Sequence, residues 1–211
     1  MIWKPDDVSA EEIKEVYQHI QERHGVYLRN GHDRRRAVNF VVDYVSGSEK
    51  PILDMGTGQG LAAVELARQG NHVATIDISE ENLRRSFLYA ASESLEDMIE
   101  FYLENAEDLP FGEDDFDSVL MMNMLHHLSD FRAVAAELSR VIAPGGVLVI
   151  ADFTEKGFEI LDSIHRIEGR EHTRENRMML SETREILWDF GLQCRQQDSR
   201  FEEHLMVASR I

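Results

Sequence analysis

Along this chain the spacing of apolar residues changes from helical to strand-like near Pro51. Between Ala10 and Gly25, Ile13, Val16, Tyr17 and Ile20 recur at helical spacing, with Ser9 as the expected N-cap and Gly25 as the expected stop. A second helix is predicted over His32–Val45, where Val38, Phe40, Val41 and Val45 form an apolar side. From Pro51 the period shortens. PILDM reads as a short buried strand, LAAVELARQG as a helix closed by Gly70, and HVATID as a second strand. A helix then starts at about Glu80, capped by Ser79. IEFYL and FDSVLMM continue the strands, and DFRAVAAELSRVIA is a helix broken at Pro144-Gly145-Gly146. VLVIADF is the most strand-like run in the chain, apolar, partly β-branched and bounded by turn residues. A long helical pattern follows, and QCRQQDS and HLMVASR close the chain as two strands.

Repeated strand–helix units predict an α/β fold: a doubly wound, Rossmann-like sheet, mostly parallel, ending in an antiparallel hairpin. Residues 1–48 are expected to form a helical cap or lid, and 49–211 a single globular domain in which about 154–180 covers the substrate. No internal repeat or long Pro/Gly/Ser linker interrupts this division.

Composition narrows the partners. The 211 residues are 43% hydrophobic, enough for one sizeable core. A formal net charge of −18 repels phosphate backbones, so nucleic acid is not an expected partner. The one basic cluster, Arg29 with Arg34-Arg35-Arg36, is expected to pair with neighbouring carboxylates, the alternative being contact with an anionic small substrate. No apolar run has the length of a membrane span, and the N-terminus is too acidic for a signal peptide. The single cysteine, Cys194, excludes an internal disulfide and fits a cytoplasmic protein; a buried strand thiol is its expected role.

The candidate chemistry starts at ILDMGTGQG, Ile52 to Gly60. Ligands of doubly wound sheets bind beyond the carboxyl ends of the strands. Gly56, Gly58 and Gly60 lie at that rim, where glycine permits φ > 0 and lets a ligand approach the backbone. Asp77 ends the next strand, placed to accept from two ribose hydroxyls. A dinucleotide fingerprint, G-x-G-x-x-G, would need a third glycine where Leu61 stands, and Asp54 would repel a pyrophosphate. An adenosine joined to a zwitterion fits better.

These residues resemble the class I S-adenosylmethionine (SAM)-dependent methyltransferases. ILDMGTGQG is similar to their L-D-x-G-x-G-x-G motif, and Asp77 to the acid after their second strand. NAEDLPFGEDDFDSVLMMNMLHHL is similar to D-A-x-x-L-P-F…F-D-x-V…L-H-H-L, and LSRVIAPGGVLVIAD to L-x-R-V-L-x-P-G-G-x-L-x-I-x-D. The resemblance covers roughly Pro51 to Asp152 and is strongest to the ubiquinone and menaquinone biosynthesis branch. It implies methyl transfer from SAM to a small-molecule acceptor, with S-adenosylhomocysteine as product. Gly56, Thr57, Gly58 and Gly60 would pass the methionine part and ribose, and Asp54 would hold the ammonium directly or through water. Asp77, followed by Ile78, would bind the ribose side. Asn105, standing where the family has an aspartate, would meet the adenine with Ala106 and Glu107. Asn123 would border the sulfonium. Alternatives are a non-catalytic SAM- or S-adenosylhomocysteine-binding protein and, third, an NAD(P)-dependent oxidoreductase.

For the acceptor, His126 and His127 are the candidate general bases, against a role in shaping the pocket. Met121, Met122 and Met124 are expected to fill core. His165, Glu168 and His172 share a helical face that is expected to be solvated, and no metal is expected. Tyr17, His24 and Tyr27 are candidate lid contacts. The oligomeric expectation is a monomer or homodimer.

Overall fold

The glycine loop lies where the order of an eight-stranded sheet reverses direction. The computed structural model describes residues 2–45, 49–169, 178 and 180–211. Along the chain run β1 (Ile2–Trp3), α1 (Ala10–Arg29), α2 (Arg34–Val42), β2 (Ile52–Met55), α3 (Leu61–Arg68), β3 (Val73–Asp77) and α4 (Glu80–Ser92). These are followed by β4 (Ile99–Leu103), β5 (Phe116–Met122), α5 (Phe131–Val141), β6 (Ile142–Phe153), α6 (Glu155–Ile167), α7 (Leu180–Asp189), β7 (Leu192–Arg200) and β8 (Glu203–Arg210). In the sheet the strands lie β1-β4-β3-β2-β5-β6-β8-β7. Strands β2 to β6 are mutually parallel, while β1, β8 and β7 are antiparallel additions at the edges. From β2 the chain winds outward to β4, then returns across the sheet to β5, so a crevice opens beyond the carboxyl ends of β2 and β5.

The central strands are apolar on both sides because helices cover both faces. One cluster joins Leu53, Met55 and Met121 to α5, and a second joins Ile52, Leu120 and Val149 to α2, α3 and α4. Two N-terminal helices pack outside this frame, and Tyr27 of α1 meets Leu161 and Ile164 of α6.

Local caps explain where the helices begin. Ser9 and Glu12 form a capping box at α1, and Ser79 accepts from Asn82 N–H at α4. Three boundaries differ from the sequence pattern. Gly25 does not stop α1, which runs on to Arg29; the left-handed residue is Gly31, at φ 90°, so Gly25 remains an ordinary helical residue. Helix α2 is shorter than the pattern over His32–Val45, because Asp33 caps it and His32 belongs to the preceding turn. Strand β6 starts at Ile142, ahead of Pro144-Gly145-Gly146, with a register shift against β5 between Phe116 and Ser118. The pairing of Ile2–Trp3 with β4 is an added edge that so short a stretch does not announce. The long helical pattern divides into α6 and α7; residues 170–177 and 179 lie outside the described residues.

Candidate functional site

Three left-handed glycines turn the chain from β2 into α3: Gly56 at φ 80°, Gly58 at 50° and Gly60 at 80°. The loop is strapped to β3, since Gly56 and Thr57 both donate their amide protons to Ile76 O, at 2.9 and 3.0 Å. The three positions differ sterically. A Cβ on Gly56 would strike the Met124 sulfur, and one on Gly60 would strike Ser86, whereas one on Gly58 would enter open space. Gly60 therefore owes its identity to α3–α4 packing and φ, and only Gly56 and Gly58 border a cavity.

On the β3 side lies a cavity of about 620 Å³. It brings together Gly56, Gly58, Asp77, Ile78, Asn105, Ala106, Glu107 and Asn123. Asp77 accepts from Gly58 N at 3.0 Å, from Ser79 N at 2.9 Å and from Asn82 Nδ2 at 3.2 Å on each oxygen. Ile78 is 76% exposed, an apolar platform at the cavity wall. Asn105 Oδ1 accepts from Glu107 N at 3.0 Å, which leaves one lone pair on that oxygen for a ligand.

A second cavity, of about 320 Å³, lies across Gly56, Gly58, Asn123 and His127, which line both spaces. It is bounded by Asp54 and Thr57 as well. Asp54 is 2% exposed and accepts from Thr75 Oγ1 at 2.7 Å. Burial, with the charge of Asp77, pushes its carboxyl up to about 6. On the same cavity, Arg34 donates from Nη2 to Gln59 Oε1 at 2.9 Å and lies 4.7 Å over the Tyr27 ring. Its Nη1 is buried with no hydrogen-bond partner, and desolvation lowers the guanidinium only to about 10, so it stays charged near neutrality. An acid and a free-handed guanidinium on one cavity wall complement a zwitterion. Arg34 lines this cavity, and the sequence offered it only as part of a basic cluster for which contact with an anionic small substrate was the alternative reading. Among the described residues the carboxylate pairing expected of that cluster is not what its core shows: Arg35 donates to Gln21 and Arg36 lies over Phe201.

His126 and His127 follow β5 in a short 3₁₀ turn, Leu125–His127. His126 is 3% exposed, and its Nδ1 lies 2.8 and 3.0 Å from the two oxygens of Asp152. Asp152, at the carboxyl end of β6, also accepts the His126 backbone N–H at 3.1 Å, which fixes the ring. Phe158 meets that ring edge-on, 5.1 Å between centroids. His127 is exposed, its ring 4.1 Å from that of His126. Asp152 was not singled out, although it is the acid that ends both the most apolar strand and the motif LSRVIAPGGVLVIAD.

Asn123 takes φ 55°, with its N–H held by Ala151 O at 2.8 Å. Its Nδ2 donates to Glu203 Oε1 at 3.2 Å, while its Oδ1 is buried without a partner. Glu203, at the start of β8, is fully buried, and burial raises its carboxyl well above the usual range. His32 Nε2 stands 4.0 Å from Glu203 Oε1. Burial and the neighbouring Arg34 push that imidazole down to about 4, so it is neutral.

The remaining candidates separate. Met121 is fully buried, and Met122 and Met124 are partly buried against the core clusters as expected while also lining the second and first cavities. Tyr27 lines the second cavity; Tyr17 and His24 instead face a groove between α1 and α2. His165 reaches the second cavity and Glu168 pairs with Arg23 at 3.5 Å, so neither is on a purely solvated face; His172 lies outside the described residues. Among the described residues no group of three His, Cys, Asp or Glu could hold a metal. Cys194 is on β7 but only partly buried, because that strand is the outer edge of the sheet.

A methyltransferase domain model matches residues 53–150. The demethylmenaquinone methyltransferase of Clavibacter sepedonicus is 36% identical over 155 residues, covering 72% of this chain and 60% of that protein. The chain spans less than two thirds of the length of such curated relatives. Among solved structures, a SAM-dependent methyltransferase from Methanosarcina mazei shares the fold with a TM-score of 0.66 at 22% identity, covering 82% of this chain and 97% of that one. The [4+2]-cyclase SpnF shares it with a TM-score of 0.68 at 17% identity, covering 84% and 81%. At such identities these two establish the fold, a mostly parallel Rossmann-like α/β sheet with an antiparallel end.

Proposed function

The chain belongs to the class I SAM-dependent methyltransferases, and we propose that it transfers the methyl group of SAM to a small-molecule acceptor. The observation that carries this reading is the meeting of two cavities at Gly56, Gly58, Asn123 and His127. One suits an adenosine, with Asp77 for the ribose hydroxyls and Ile78 and Asn105 for the base. The other offers Asp54 and Arg34 to the amino-acid end and His126 to an acceptor. The shared wall is where a methyl donor and an acceptor would face each other.

When bound, SAM supplies an already activated methyl carbon, so the chain's task is alignment and exclusion of water. Asp54 would receive the ammonium, Arg34 would offer its unpartnered Nη1 to the carboxylate, and Asp77 would hold the ribose. Asp152 would hold His126 through Nδ1, and Nε2 would be the nitrogen that takes a proton from the acceptor. Residues 1–48 serve as the cap, through Tyr27, His32 and Arg34 on the second cavity. Both cavities are built from one chain, so the reading needs no second copy. No helix among the described residues is long and apolar enough to cross a membrane.

The fold is shared with a [4+2]-cyclase, so the second reading is this fold used for something other than methyl transfer. The buried His126–Asp152 pair favours transfer, because a binder has no use for an oriented base. An oxidoreductase is opposed by Leu61 and by Asp54 at the loop. Incubation with methyl-labelled SAM and a small-molecule cell extract is expected to move label into a low-mass product. Binding of SAM without such transfer would leave the non-catalytic reading standing, and NAD bound to the purified protein would overturn the donor assignment.

A further inference from the structure

The wall of the second cavity holds one acid that neither cofactor binding nor proton transfer uses. Glu203 is 0% exposed, and its Oε1 is met by Asn123 Nδ2 at 3.2 Å, while Oε2 is buried with no partner. The basic groups around the cavity do not neutralise it. Arg34 faces Gln59 and Tyr27, Arg23 lies 3.5 Å from Glu168, and His32, at 4.0 Å, is neutral. Asp152 adds repulsion, which helps keep the carboxyl protonated while no cation is beside it. A buried acid with an open oxygen on a cavity wall is a place for a hydrogen-bond donor that brings positive charge.

The surroundings agree. Phe153 lines the same cavity, and an aromatic ring attracts cations. The chain's net charge of −18 draws cationic small molecules and repels anionic ones.

Resting on the methyl-transfer reading, we propose that the acceptor is a small amine whose nitrogen is seated by Glu203 beside His126, so that the reaction is N-methylation. The nitrogen enters as the free amine and takes the proton that the Glu203 carboxyl holds, so that it sits as an ammonium paired with the carboxylate. Loss of one proton to His126 Nε2 exposes the nitrogen lone pair. That pair forms the bond to the methyl carbon as the carbon–sulfur bond breaks, its electrons staying on sulfur in S-adenosylhomocysteine. Glu203 accepts an N–H that remains on the product.

The test uses the full chain loaded with S-adenosylhomocysteine and three probes of one shape and different charge: benzylamine, benzyl alcohol and benzoate. Calorimetry at pH 8 is expected to show benzylamine binding at least about tenfold tighter than either other probe. Glu203→Gln keeps an acceptor for Asn123 but cannot carry charge; it is expected to remove the preference with S-adenosylhomocysteine affinity changed by less than about twofold. Benzylamine binding no tighter than benzyl alcohol, tightest binding of benzoate, or an undiminished preference in Glu203→Gln each overturns the amine assignment. A chain that does not bind S-adenosylhomocysteine at all would fail earlier, at the donor site, and would take the methyl-transfer reading down with this one.

Discussion

The carboxylate of Asp77 accepts the amide proton of Gly58 at 3.0 Å, tying the end of β3 to the apex of the glycine loop that follows β2. The same side chain receives Ser79 N–H and the Asn82 amide. Asp77 is thus held in place on the wall of the larger cavity before any ligand arrives, and a ribose would compete with Asn82 for its oxygens. Asp77→Ala removes both the ribose acceptor and the strut under Gly58. SAM binding is expected to weaken by at least about tenfold, or 1.4 kcal/mol. Titration calorimetry checks this, and an unchanged affinity would place the adenosine elsewhere.

Gly58 and Gly60 are expected to respond differently to added bulk. At Gly58 a side chain enters open space, so Gly58→Val should fold, at some backbone cost from φ 50°, and block the ligand. At Gly60 even one methyl meets Ser86, so Gly60→Ala should lower the melting temperature by several degrees, in line with about 1–3 kcal/mol for overpacking. Melting curves with and without SAM separate the two. Retained binding in Gly58→Val would refute the loop as a ligand cradle.

Asp54 makes the donor site sensitive to pH. The folded carboxyl holds its proton up to about 6, against an ordinary 3.8. Between those values the folded state binds more protons than the unfolded state, so stability falls as pH rises through that window. Glu203, its carboxyl also raised by burial, pushes in the same direction. Ionised Asp54 is the form that meets an ammonium, so SAM affinity should rise as pH climbs past about 6. Asp54→Asn should be more stable than the parent at pH 8, be no more stable than it at pH 4, and lose the rise in affinity. Thermal melts and SAM titrations across pH 5 to 8 measure both effects, and a flat parent affinity profile would remove Asp54 from the ammonium site.

How far the sequence reveals this depends on the range of each interaction. The strand–helix alternation was readable because burial on two helix-covered faces makes strands such as Ile52–Met55 apolar throughout. The loop glycines and Asp77 were readable because the donor site is built from local turns at strand ends. Arg34, Asp152 and Glu203 were not, since each acts through a partner distant in the chain: Gln59, His126 and Asn123. The stop expected at Gly25 failed for a related reason. Glycine ends a helix only when the backbone turns left-handed there, and α1 continues instead until Tyr27 reaches α6.

The pair His126–Asp152 is the remaining lever, and its two partners should fail in distinguishable ways. Asp152 receives both Nδ1 and the backbone N–H of His126, so Asp152→Asn keeps a group of the same shape while removing the charge that sets the tautomer. His126→Asn removes the base itself. If His126 takes the acceptor's proton, His126→Asn should lower kcat by about 10²–10⁴-fold, the range typical of general-base catalysis. Asp152→Asn should lower kcat by a smaller factor within that range. Neither is expected to shift SAM affinity by more than about twofold, because Asp54, Arg34 and Asp77 hold the donor. Raising the pH should partly restore Asp152→Asn with an acidic acceptor, since the acceptor then arrives deprotonated, and should leave the parent little changed. The measurement is kcat and SAM affinity for both variants between pH 6.5 and 9. A variant with full kcat would reduce the pair to a wall of the pocket, with methyl transfer proceeding by alignment alone.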